Sequence, residues 1–142
     1  MEIQPTVQIV YIARIIALAK LIKEQPHTSH ESVGGFCMSS ILHECGTPAC
    51  IAGWAAFMAN GCQNPPLTVG LTKNAKEWLG ITSAQASELF YPIGADTGLD
   101  SPLVDLTPKQ AHDVLIRLAE TGTVDLSVAG YRKNDHDEWE KV

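Results

Sequence analysis

The sequence predicts an all-α protein, a single compact domain of about five helices. Three observations carry this reading. Apolar residues recur at three- and four-residue spacing in successive segments, and almost nowhere alternate with polar ones as on a half-buried strand. Helix punctuation repeats along the chain: threonine at starts, glutamine three residues later in two cases, glycine at ends. The chain has 142 residues, 45% hydrophobic and 18% charged, enough apolar material for one core without staples.

The first helix is expected from about Thr6 to Glu24. Val7, Val10, Ile15, Leu18 and Ile22 fall near helical spacing, and Ile9, Ile12, Ile16 and Leu21 widen the apolar face. A helix apolar nearly all round is either central to its domain or in contact with another copy, so this run also predicts a homodimer. It ends before Gln25-Pro26, because a residue preceding proline is pushed out of the helical region. Residues 26–47 read as irregular, with Gly34-Gly35 as a turn or a close backbone approach and a short strand or turn at 36–40. An irregular stretch of this length is often functional.

The second helix is expected to start with Thr47 as N-cap and Pro48 at the first helical position, to run to about Asn60, and to stop at Gly61. Ala49, Ala52, Gly53, Ala56 and Ala59 leave one side nearly bare, so that another backbone comes close; Trp54, Phe57 and Met58 supply bulk elsewhere. The third helix is short, Lys73 to Leu79, with Thr72 as cap and Gly80 as stop. The fourth begins at Thr82, where Gln85 completes a capping box, and ends at Phe90-Tyr91 before Pro92. Residues 93–106 read as loop. The fifth begins at Thr107-Pro108 with a boxed Gln110, turns Ala111, Val114, Leu115 and Leu118 to the core, and stops at Gly122. Residues 131–142 read as a charged, loose tail on a domain spanning 1–130.

The formal net charge is -6, and the 10 lysines and arginines are scattered. Duplex nucleic acid is therefore not an expected partner, although a local anion site is compatible with this balance. The run VQIVYIARIIALAKLI is interrupted by Arg14 and Lys20 and falls short of the roughly 20 apolar residues of a spanning helix. Its basic residues lie inside the run rather than before it, unlike a signal peptide. A cytoplasmic protein without membrane contact is expected, and its four cysteines, Cys37, Cys45, Cys50 and Cys62, are expected to be reduced.

Chemistry-bearing residues gather in HECGTPACIAGWAAF, residues 43–57. The first N–H groups of a helix lack partners and carry partial positive charge, which favours an anion or a thiolate there. Cys50 falls in that first turn, where its pKa is expected to drop; Cys45 lies just outside, beside Gly46. Either becomes a nucleophile if His43 or His112 comes within reach as a base. The plain alternative makes Cys50 a small buried hydrophobe. His43, Cys45 and Cys50, with Cys37 or Cys62 as a fourth, are residue types that zinc takes. The spacing H-x-C-x4-C lacks the close pair of a closed site, so no metal or other cofactor is expected.

Phe36 and Met38, two apart after Gly34-Gly35, line a pocket or pack the loop onto the core. Trp54 reads mostly as core, and Tyr91 stands at a helix exit where its hydroxyl faces a cleft. The adjacent His112 and Asp113 point to different faces of a helix, which makes them a solvated or capping pair and not a dyad. Asp135, His136, Asp137 and Glu138 read as a solvated charge run.

Three elements resemble an uncharacterised family of small bacterial and bacteriophage proteins. They are Phe36 and Met38 as F-x-M before the motif, CGTPACIAGWA at 45–55, and Ala86 with Leu89 to Pro92 followed by a Thr-Pro helix from Thr107 to Asp125. The resemblance spans most of residues 36–126. It brings no activity and no catalytic residue, and its bacteriophage setting implies a protein that sequesters a host signalling nucleotide. ECGTPACIAGWAAFMANG also resembles the nucleophile segment of peptidase C39-type cysteine proteases, with Cys45 as that cysteine. That family uses a later histidine on a strand, whereas His112 reads as helical.

The resulting expectation is a protein that binds a small, anionic molecule at the N-terminal end of the second helix. Phe36, Met38, His43, Cys45, Thr47, Cys50, Trp54 and Tyr91 would form the site. The alternatives are a thiol-dependent hydrolase using Cys45 or Cys50 with His43, and a structural or adaptor protein in which the motif only packs helices.

Overall fold

The structure, a computed structural model, describes residues 5–28, 34–38, 47–64, 70–90, 106–133, 135 and 139–141. Within them the chain forms α1 (Pro5–Lys23), α2 (Ile51–Ala59), α3 (Leu71–Leu79), α4 (Ser83–Phe90) and α5 (Pro108–Thr121), a 3₁₀ turn (Leu126–Ala129), β1 (Tyr131–Lys133) and β2 (Trp139–Lys141). The protein is an all-α domain. No helix of the described residues is long and apolar enough to cross a membrane.

α1 lies chiefly along α5, and α2 lies chiefly against α3. The α1 residues that bury are Ile15, Leu18, Ala19 and Ile22, one stripe at i, i+3, i+4 and i+7. Ile9, Val10 and Ile12 stay 61%, 44% and 40% exposed. Among the described side chains of the first helix, the buried ones begin at Ile15, and an apolar strip before it faces solvent. The core continues through Phe36, Met38, Ile51, Ala52, Ala55, Leu79, Leu89, Leu106, Val114, Leu115 and Leu126.

The described residues after α1 are tied back to one another. The Thr28 N–H donates to the Phe36 carbonyl and the Phe36 N–H to the Pro26 carbonyl, at 2.9 and 2.8 Å, an isolated parallel bridge between His27 and Phe36. Both Gly34 and Gly35 have positive φ. A Cβ on Gly35 would stand 2.5 Å from the Thr28 side chain and 2.8 Å from the Pro26 carbonyl, so the turn and the close approach coincide at this position.

Two capping boxes form as the sequence predicts. Thr82 and Gln85 exchange backbone and side-chain bonds at the head of α4; Thr107 and Gln110 do so at the head of α5. Each glutamine also donates its amide to the next element: Gln85 to the Gly122 carbonyl at 2.7 Å and Gln110 to the Ala129 carbonyl at 3.1 Å. Gly80 and Gly122 end α3 and α5 in the left-handed conformation.

Three expectations are corrected. α2 begins at Ile51 with Cys50 as N-cap, and Cys50 makes no capping side-chain bond. Thr47 and Pro48 precede the helix, because the Ala49 carbonyl accepts from the Cys37 N–H at 2.9 Å instead of entering a helical ladder. α3 begins at Leu71 with Gly70, not Thr72, as its cap residue. The described parts of the charged segment after residue 130 are not loose: β1 pairs antiparallel with β2, Tyr131 opposite Lys141, and Tyr131 is buried in the core.

Candidate functional site

The described residues at the start of α2 pack into the core. Phe36, Met38, Cys50 and Trp54 come together in the core cluster, and Thr47 is half-buried. Trp54 donates its indole N–H to the Gly35 carbonyl at 3.4 Å and meets Phe57 edge-on with centroids 5.3 Å apart. This fixes the Gly-Gly turn over the helix start. His43, Cys45 and Tyr91 lie outside the described residues.

Cys50 is not an activated thiol. Burial pushes its pKa from 9.0 up to about 11, partly offset by the N–H groups of Gly53 and Ala52. The helix-start effect expected from sequence is present in direction, but loss of solvent outweighs it. Cys37 is also buried and near enough to Cys50 to disfavour a second negative charge. Cys62 is exposed at the far end of α2; the nine residues of that helix put it roughly 13 Å along the axis from Cys50, too far to share one metal with it. Among the described residues, no group of three His, Cys, Asp or Glu side chains is placed to hold a metal ion.

His112 and Asp113 do interact, contrary to the helix-face argument. Their side chains meet at Nδ1 to Oδ1, 2.9 Å, while Lys109 donates to the other carboxylate oxygen at 3.0 Å. Burial raises the Asp113 pKa, but the bonds from His112 and Lys109 outweigh it and leave the carboxyl below its ordinary range. The geometry orients an imidazole. Asp113 is the only polar partner of His112 among the described residues, so no described thiol stands ready for it to deprotonate.

Two open concavities lie elsewhere. The first is a groove of about 390 Å³ between α1, the α3–α4 junction and the end of α5. Ile12, Ile15, Leu79, Ile81, Leu118 and Ala119 make its walls apolar, and Glu120 is the one charged side chain among its described lining residues. Its shape follows from local constraints. Arg14 of α1 donates to the Trp78 carbonyl at 3.0 Å and lies over the Tyr11 and Trp78 rings, so a cation closes the C-terminal end of α3. Tyr11 packs onto Gly80 so closely that a Cβ there would stand 2.4 Å from the ring.

The second concavity, about 200 Å³, lies between α3 and α4 and is lined by Thr72, Lys73, Lys76, Ser83, Ala86, Ser87 and Phe90. Sequence reasoning missed both. The signal for the second was legible: Lys73 and Lys76 are three apart on one helix and precede the Thr82-Ser83 start of the next. The groove had no comparable signal, since it depends on how α1 crosses α5.

No family model matches the chain, and no curated protein or solved structure matches it either.

Proposed function

We propose that this chain is a small-molecule-binding protein whose ligand lies in the groove between α1, the α3–α4 junction and α5. The observation that carries the reading is the groove itself: its 390 Å³ falls in the range of ligand pockets, roughly 300–1,000 Å³, and its apolar walls with few polar groups have the usual character of one. The ligand has an apolar body, and any charge it carries toward this groove is positive, to suit Glu120. A sequestering role, as the bacteriophage resemblance implies, requires only such binding.

The hydrolase reading now rests on Cys45, since Cys50 is buried with its pKa pushed up. Self-association remains part of the proposal, supported by exposed Ile9, Val10 and Ile12 on α1. The test of the binding reading is a fragment screen by ligand-observed NMR on the wild type and on Ala119→Leu, which places bulk in the groove. Hits on the wild type that vanish on the variant are expected. A set of hits bound equally by both would sink the groove as the site.

A further inference from the structure

The described residues offer a further place for an anionic ligand, away from the start of α2. We infer that the cleft between α3 and α4 is a second site, separate from the apolar groove, that takes a phosphomonoester: a phosphate group with a small apolar body. The two concavities share no described lining residue.

The polar side of the cleft suits a dianionic oxyanion. Lys76 is half-buried, and its ammonium is held 3.1 Å from the Ser83 hydroxyl, which leaves two of its three N–H donors for a ligand. Lys73 makes no ion pair among the described residues, although Glu77 stands one turn further along the same helix at the spacing where opposite charges can meet. Ser87 has no hydrogen-bond partner among the described residues and lines the same cleft. None of the described lining residues is acidic, in a chain whose net charge is -6. Two lysines and two hydroxyls thus converge with no carboxylate among the described lining residues. α4 begins at Ser83, so the positive end of that helix stands at the same lip and adds to the field.

The other side of the cleft is apolar. Ala86 and Phe90 are buried and form part of the lining. At about 200 Å³ the space exceeds what a bare phosphate needs. An apolar group attached to the phosphate would cover this floor, and the area removed from water would add affinity that inorganic phosphate does not have.

The experiment is a titration followed by ¹H–¹⁵N spectra at constant ionic strength, with inorganic phosphate and phenyl phosphate as probes and chloride as the reference anion. Saturable shifts at the amides of Lys73, Lys76, Ser83 and Ser87 are expected, with phenyl phosphate several-fold tighter than phosphate. A Lys73→Ala/Lys76→Ala variant should weaken both probes at least tenfold while keeping the helical circular-dichroism spectrum. A Lys20→Ala/Lys23→Ala variant, which removes the same charge from the last turn of α1, should bind as the wild type does. Non-saturating shifts, or equal losses in the two double variants, would mean bulk electrostatics and overturn the site. Phenyl phosphate binding no tighter than phosphate would overturn the apolar part of the ligand. If the first double variant unfolds, Lys73→Gln and Lys76→Gln singly carry the same test, and wild-type affinity in both would refute the inference. Because the groove is untouched by these changes, fragment binding there succeeds or fails independently.

Discussion

Cys50 shows how a local rule yields to its surroundings. From sequence, a cysteine in the first turn of a helix predicts a lowered pKa. In the fold the same residue is 2% exposed, and burial pushes the thiol up to about 11. The consequence has a definite sign. Between pH 9 and 11 the unfolded chain loses this proton while the folded chain keeps it, so stability present below pH 9 falls as the pH rises. The loss across that window is roughly 2–3 kcal/mol. Urea melts at pH 8 and pH 10.5 should show a smaller alkaline loss for Cys50→Ala than for the wild type; equal losses would show that Cys50 titrates normally. Gln110 offers a second test at this scale. Gln110→Glu keeps the acceptor of the capping box but removes the N–H donated to Ala129 and places a carboxylate beside that carbonyl. The expected cost is about 1–2 kcal/mol in a urea melt, and a neutral result would show that the link from α5 to the 3₁₀ turn contributes nothing.

At the scale of elements, the starts and stops were legible wherever a side chain acts on its own helix. Thr82 with Gln85, Thr107 with Gln110, and the left-handed Gly80 and Gly122 all follow from contacts spanning a few residues. The start of α2 was not legible, because the Ala49 carbonyl is claimed by Cys37, twelve residues earlier. Likewise the pattern of α1 revealed an apolar helix without saying which part is covered. Its packing along α5 leaves Ile9, Val10 and Ile12 in solvent. If that strip joins two copies, Ile9→Lys should shift the chain toward monomer in light scattering after size exclusion, with the melting temperature of the isolated fold little changed. A wild type that is monomeric at high micromolar concentration would remove the homodimer from the account.

For the whole molecule, the helical domain was legible in the sequence, and the described part of the CGTPACIAGWA motif is committed to the core. Phe36, Cys50 and Trp54 hold the helix start against the Gly34-Gly35 turn. The described concavities lie where elements meet: α1 with α5 around the groove, and the α3–α4 pair around the lysines. No short spacing encodes the first of these, which is why the residue pattern alone did not reveal the groove. The location of the ligand is read most directly from an amide-resolved map of bound fragments by ¹H–¹⁵N spectroscopy. Binding in the groove predicts that apolar and cationic fragments perturb Tyr11, Ile81, Leu118, Ala119 and Gly122 together. Perturbations confined to residues 47–54 would contradict it and return the binding site to the start of α2.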